Sequence, residues 1–256
     1  MDSTAAYQDA LVVYSDMLGF KDLVERSTSG ELSVSYVRDV LARLKAQLSP
    51  GHLIAPDADG TPTTFFQSHT FSDHVVRCLP VGKNQQEQCA QEFFHLARIQ
   101  GLLAIEGILI RGGITFGRVF VDSSFVFGPA LVRSYELEQN AIYPRLVIDK
   151  DLVHDVRLSQ DYVECGEDCT YFLDYLFGPL VAEHAVHGHD PWPVLKAHKE
   201  MVQQKLCNKT LKEGVRRKFL WLARYHNSAV KRLRGRLTGL RADQFYACEI
   251  DGSGIC

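Results

Sequence analysis

The chain is expected to fold as an α/β (α+β) protein with a mixed, mainly antiparallel sheet flanked by helices, followed by a helical C-terminal piece. Three observations predict it: strand-length apolar runs alternate with segments of helical period, two of the strands are joined by short polar turns, and the character changes near residue 190. Residues 11–16 (Leu-Val-Val-Tyr-Ser-Asp) read as a buried strand. After Gly19 comes a long helical stretch with Val37, Val40, Leu41, Leu44 and Leu48 at helical spacing, closed by Ser49-Pro50-Gly51. A polar loop from Pro56 to Pro62 leads through Phe65-Phe66 to a hairpin whose arms end at Phe71 and begin at Val75, with Asp73 near its tip.

From Gln85 to Leu103 the apolar positions Cys89, Phe93, Leu96, Ala97 and Leu103 again follow a helix, which breaks at Glu106-Gly107. A strand from Ile108 to Phe116, punctuated by Gly112, Gly113 and Gly117, precedes a second hairpin of Val119-Phe120-Val121 and Phe125-Val126-Phe127. Gly128-Pro129 then opens a helix that runs to Glu138, with proline in the first turn where its missing N–H costs nothing. Tyr143 to Asp149 is one more strand. This order is close to a ferredoxin-like core with additions. Beyond Pro191-Trp192-Pro193, helices are expected over about 194–207 and 209–234, so the chain divides into a domain over 1–185 and a helical appendage over 190–256, packed on or beside it.

The 256 residues are 46% hydrophobic and 23% charged, enough to bury a sizeable core, and the formal net charge of −3 advertises neither nucleic acid nor an anionic membrane. Locally, residues 205–241 carry twelve Lys or Arg against a single acid, Glu213. No apolar run approaches the roughly 20 residues that span a bilayer, and Met1-Asp2-Ser3-Thr4 does not begin a signal peptide. Seven scattered cysteines do not read as a disulfide framework. A reducing cytoplasm is the expected location, with no membrane partner.

Asp16 and Asp73, 57 residues apart, each follow an apolar strand-like run. Two carboxylates brought together at strand ends can hold Mg²⁺ or Mn²⁺ on the phosphates of a nucleotide. Four motifs in order extend the pattern: Asp16-Met17-Leu18-Gly19-Phe20; Thr70-Phe71-Ser72-Asp73; Arg111-Gly112-Gly113-Ile114 through Gly117; and Phe127-Gly128-Pro129 with Tyr135-Glu136-Leu137-Glu138. Together they resemble the class III nucleotidyl cyclases over about residues 11–149. With Tyr143-Pro144-Arg145 added, the set is most similar to the bacterial pyrimidine (uridylate and cytidylate) cyclases of the Pycsar antiphage system.

The resemblance implies a metal-dependent cyclase turning UTP, ahead of CTP, into its 3′,5′-cyclic monophosphate and diphosphate, a second messenger for antiphage defence. It implies two divalent cations per site, Mn²⁺ or Mg²⁺, on Asp16, the backbone carbonyl of Met17 and Asp73, with N–H groups near Leu18, Gly19 and Phe20 meeting the phosphates. It implies a homodimer with a site formed at each of two interface clefts. Positions that select purines in that family are His69 and Phe125 here, which argues against ATP or GTP. His69, Phe71 and Phe125 are then candidates for holding a pyrimidine. The family's ribose Asn and transition-state Arg fall on Val132 and Glu136 here. Arg133 is the preferred replacement cation, with Arg111 and Arg145 as alternatives.

Two rivals remain open: a purine cyclase, and a non-catalytic module that binds a nucleotide or senses a phage component. Cys165, Cys169, His184, His187 and His189 could be gathered into a zinc site, although a solvated loop is the simpler reading. The basic C-terminal helix presents an apolar face (Phe219, Leu222, His226, Val230, Leu233, Leu237) and an opposite cationic face, read either as a solvated docking helix or as the seat of an acidic or phage-derived activator.

Overall fold

The computed structural model describes residues 6–49, 67–81, 85–155 and 160–250. The loop from Pro56 to Pro62 and Phe65-Phe66 lie outside them. The central strand, β1 (Gln8–Met17), is antiparallel on one side to β3 (His74–Pro80), which pairs through a two-residue turn with β2 (Gln67–Phe71). On its other side β1 is antiparallel to β4 (Ile110–Val121), which carries the two-residue β5 (Val126–Phe127). Strand order β2-β3-β1-β4 is the ferredoxin-like arrangement the element order predicts, extended by β6 (Leu146–Ile148), β8 (Tyr171–Leu173) and β7 (Val163–Cys165). Only the β4–β6 pairing is parallel among the described strands.

The apolar run in β1 is nearly continuous because helices cover both of its faces. Leu11, Val13 and Met17 pack in the main core with Leu44 and Leu48 of α2 (Val34–Leu48) and Phe93 and Leu96 of α3 (Gln85–Ile105). Ala10 and Val12 face the other way, into a smaller cluster with Val119, Val121 and Ala130, the last on α4 (Pro129–Asn140). Asp16, in step with Val12 and Tyr14, therefore points to the α4 face.

Several elements differ from the expected ones. The long helical stretch after Gly19 is two helices, α1 (Phe20–Thr28) and α2, broken where Gly30 takes a left-handed φ of 81° and Ser33 caps α2 by accepting from the Tyr36 N–H. The glycines of β4 do not end it: the strand runs unbroken to Val121, since a glycine in an extended conformation needs only neighbours that fill its missing side chain. At Gly113 the neighbour is α4 itself, because an added Cβ would lie 2.2 Å from the Ser134 carbonyl oxygen and 2.5 Å from Leu137 Cβ. The expected strand Tyr143–Asp149 shortens to β6, which a short helix, α5 (Lys150–Asp155), follows.

The region around Cys165 and Cys169 is a hairpin, β7–β8, followed by α6 (Phe177–His187). Helices α7 (Trp192–Leu206) and α8 (Glu213–Arg236) match the two expected segments, and a short α9 (Ala242–Cys248) follows. Their apolar faces are continuous with the sheet's own core, since Met201, Val202, Leu206, Phe219, Leu222 and Ala229 lie in one cluster with Leu11 and Ile148. Trp221 stacks on Tyr143 at 5.2 Å between ring centroids. All the named apolar-face residues of α8 are buried. The cationic face is smaller than expected: Arg232 is ion-paired to Glu164 at 2.6 Å and to the fully buried Asp174 at 2.5 Å, because the turn before α6 brings a carboxylate under the helix. Among the described residues no helix is long and apolar enough to cross a membrane, and Cys78, Cys89, Cys165, Cys169 and Cys248 are free thiols.

Candidate active site

Cross-strand register builds the site. Asp16 stands directly opposite Arg111 in the β1–β4 pairing. On the other side Ser15 pairs with Val75, so one step further His74 of β3 comes beside Asp16. A row of His74, Asp16 and Arg111 thus crosses three strands on the face that α4 covers. Asp73 joins it from the hairpin tip, held there by the two-residue turn in which Ser72 adopts a left-handed φ of 57°.

Ligand atoms of Asp16, Asp73 and His74 all lie within 4.8 Å of one another, the one such grouping of potential metal ligands among the described residues. His74 reaches both carboxylates, with Nε2 3.7 Å from Asp16 and Nδ1 3.4 Å from Asp73. Both aspartates are buried. Burial raises the Asp16 carboxyl above its ordinary range, a hydrogen bond with Asp73 and that residue's charge raise it further, and Arg111 opposes them. A carboxylate pair that repels itself in this way fits a divalent cation, whose charge would remove the repulsion.

Arg111 supplies positive charge at the site. Its Nε and Nη2 both donate to Asp16 Oδ2 at 3.1 Å, Nη2 lies 2.8 Å from Glu138 Oε1, and Nη1 donates to the Ala141 carbonyl at 3.3 Å. Glu138, on α4, is fully buried. It can approach β4 so closely because Gly113 leaves α4 room. Tyr135, also on α4, meets Tyr14 edge-on at 5.4 Å, and burial with the nearby Glu138 and Asp16 charges pushes the Tyr14 hydroxyl up to about 12. From α8, the half-buried Lys218 feels both Arg111 and Asp16; burial and Arg111 lower its pKa, while Asp16 raises it.

The remaining sequence-derived residues are dispersed in an informative way. Met17 is buried and ends β1, directly before the Leu18-Gly19 turn that leads to α1. Gly19 makes that turn with φ 88° as the N-cap of α1. The Leu18 N–H already donates to the Leu109 carbonyl at 2.8 Å, so any N–H offered to a phosphate comes from Gly19 and Phe20 rather than from all three. His69 and Phe125 meet at one turn: His69 Nε2 lies 2.9 Å from the Asp122 carbonyl oxygen, and Asp122 accepts from the Phe125 N–H at 2.7 Å. Phe71 and Phe125 are exposed.

Of the three candidate cations, the chain's own fold brings Arg111 to the carboxylates. Arg133 is held by Asp149 through Nε at 2.7 Å and Nη2 at 3.1 Å, and pairs with Glu136 at 3.5 Å. Burial raises the Asp149 carboxyl, yet hydrogen bonds from Arg133 and Thr115 leave it below its ordinary range. Arg145 is buried against Tyr143, Phe172 and Trp221 and pairs with Asp168. Among the described residues the cysteines and histidines of the zinc reading form no cluster of three ligand atoms, although His187 and His189 lie 5.3 Å apart between ring centroids. His74 and Lys218 are site neighbours outside the motifs, and Glu138 stands in the α4 motif without having been given a role. The register of His74 with Asp16 was the available signal for the first, whereas the other two depend on helix placement.

No protein-family model matches the chain, and no curated protein matches it. Among solved structures it is similar to an adenylate/guanylate cyclase/hydrolase from Silicibacter pomeroyi, at 13% identity and a TM-score of 0.40, over 66% of this chain and 96% of that one. It is also similar to a class III adenylyl cyclase-like ATP-binding protein from Pseudomonas aeruginosa, at 16% identity and a TM-score of 0.42, over 66% of this chain and 39% of that one.

Proposed function

We propose that the chain is a metal-dependent pyrimidine nucleotide cyclase, acting on UTP ahead of CTP and releasing the 3′,5′-cyclic monophosphate and diphosphate. The observation that carries this reading is the convergence of Asp16 and Asp73 from two strand ends, with Arg111 in the same row. Cyclisation joins the ribose 3′-oxygen to the α-phosphorus and expels diphosphate, so the 3′-hydroxyl must lose its proton and the triphosphate charge must be met. Divalent cations supply both, acidifying the hydroxyl and neutralising the phosphates.

The chain's own groups divide the rest of the work. Asp16, Asp73 and the Met17 carbonyl would hold the metal, with hard oxygen donors suited to Mg²⁺ or Mn²⁺. Gly19 and Phe20 turn N–H groups towards the phosphates at the start of α1. His69, in β2, and Phe125, in the turn before β5, both bonded to Asp122, offer an imidazole and a ring face to a single-ring base. Loss of the purine-selecting side chains at these two positions supports a pyrimidine.

A second copy of the chain completes the site in this reading. Exposed Phe71, Val132 and Tyr135, on the hairpin and α4, are apolar surface suited to a head-to-tail homodimer, and Arg133 would approach the partner's α-phosphate from there. An antiphage role, with an acidic or phage-derived activator on the basic face of α8, belongs to the same proposal. Purified protein with Mn²⁺ and each of the four NTPs tests it: a cyclic pyrimidine product is expected, a cyclic purine would transfer the assignment to ATP or GTP, and no cyclic product from any of the four would remove the enzyme reading in favour of a nucleotide-binding module.

A further inference from the structure

Arg111 is shared between two acids that differ in one respect: Glu138 is fully buried, whereas Asp16 lies at a site where another cation can replace the arginine. Leaving Glu138 would strip a fully buried carboxylate of its countercharge: Oε2 accepts from the Gln139 amide at 2.6 Å, but Oε1 has no hydrogen-bond partner and is met by the Arg111 ion pair at 2.8 Å. Leaving Asp16 costs nothing comparable once a divalent cation sits there. The three contacts divide along the same line. Nη1 is fixed to the Ala141 carbonyl and Nη2 to Glu138, while the edge formed by Nε and Nη2 faces Asp16 Oδ2.

We propose that Glu138 is a positioning residue: it anchors Arg111 so that a divalent cation can take Asp16 without leaving the guanidinium unpaired, and it thereby sets the metal affinity of the site. Without the anchor, Asp16 is the guanidinium's one remaining carboxylate, and the metal has to compete for it. Gly113 is part of the device, because it lets α4 carry Glu138 down to the strand. The inference rests on the metal role of Asp16 in the proposed function and is independent of which nucleotide is used.

The test is Mn²⁺ binding, without nucleotide, by calorimetry and by the electron paramagnetic resonance of the free ion. Glu138→Gln is expected to weaken binding about tenfold, the scale of outer-shell effects on metal affinity. The double variant Arg111→Gln, Glu138→Gln removes competitor and anchor together at unchanged net charge, and is expected to bind at least as tightly as the wild type. Equal weakening in the single and double variants would show that Glu138 acts on the metal independently of Arg111 and would overturn the proposal, as would an unchanged affinity in Glu138→Gln. If the single variant does not fold, the neutral pair decides: tighter than wild type supports the anchor, weaker overturns it. A wild type that binds no Mn²⁺ ends both this inference and the metal reading. One that binds with the expected pattern yet makes no cyclic product supports the anchor and ends the cyclase reading.

Discussion

Arg111 and Asp16 stand opposite each other on adjacent antiparallel strands, and two guanidinium nitrogens donate to a single carboxylate oxygen, Asp16 Oδ2, at 3.1 Å. The cation compensates half of a carboxylate pair whose other member, Asp73, has the partly exposed His74 at 3.4 Å. The site is thus under electrostatic strain that a metal would relieve, and it should give up activity and gain stability when one charge is removed.

Asp73→Asn is therefore expected to raise folding stability by about 1 kcal/mol, the usual scale of gain when a functional site is neutralised. Cyclic-nucleotide production should fall at least 100-fold. Urea denaturation and a product assay on the same preparation check both; a loss of stability typical of a core substitution would contradict the repulsion argument.

Gly113→Ala would place a Cβ 2.2 Å from the Ser134 carbonyl oxygen, a backbone atom of α4 that cannot turn aside. Overpacking of this kind costs roughly 2–3 kcal/mol. Displacement of α4 also moves Glu138 and Tyr135 away from Arg111 and Tyr14, so Mn²⁺ affinity should fall with the melting temperature. An unshifted melting curve would mean that the helix is not seated on the strand as described.

A buried histidine pair makes stability depend on pH. The Cys248 carbonyl can only accept, so His226 Nε2 donates to it at 2.8 Å; His226 Nδ1 then accepts from His198 Nδ1 at 3.1 Å, and the Tyr175 hydroxyl donates to His198 Nε2 at 2.9 Å. This chain is complete with both rings neutral, and a further proton on His226 sets N–H against N–H. Burial lowers His198 well below its ordinary 6.5, and burial lowers His226 to about 4. The unfolded chain then binds more protons than the folded one below pH 6.5. Stability from the pair is fully present above that pH and is lost as the pH falls towards 4, by about 1.4 kcal/mol per pH unit for each histidine. Denaturation between pH 7 and 5 should show this slope, and His226→Gln should flatten it; parallel slopes in the two proteins would rule the pair out as its source.

Arg232 and Arg236 lie one helical turn apart on α8 and should behave oppositely. Arg232→Ala leaves the fully buried Asp174 without its cation and should cost about 3 kcal/mol. Arg236→Ala, at an exposed position, should change stability by less than about 0.5 kcal/mol. Paired thermal melts distinguish them, and equal small effects would return Arg232 to the solvated face.

Much of this arrangement was legible in the residues. The order of strands and helices from Leu11 to Ile148 follows from period and turn chemistry, both local properties. The break between α1 and α2 was missed because Gly30 was outweighed by the helical spacing on either side of it. Hairpin β7–β8 was missed because its strands are three residues long, too short for alternation to register. The ion pair of Arg133 with Asp149, sixteen residues later at the end of β6, is one that no spacing within the α4 motif reveals.

The sequence by itself determined that one aspartate closes the first apolar strand, that the other sits at a hairpin tip, and that Gly19 makes the turn after the first, because alternation and turn geometry are written in adjacent residues. Tertiary structure alone decided which cation faces Asp16, that Glu138 is sealed beneath it, and that α8 brings Lys218 into the same field. Those outcomes depend on register between strands 95 residues apart and on how closely a helix can approach a sheet. An ion pair is selected by distance and burial, and neither exists until the chain has folded.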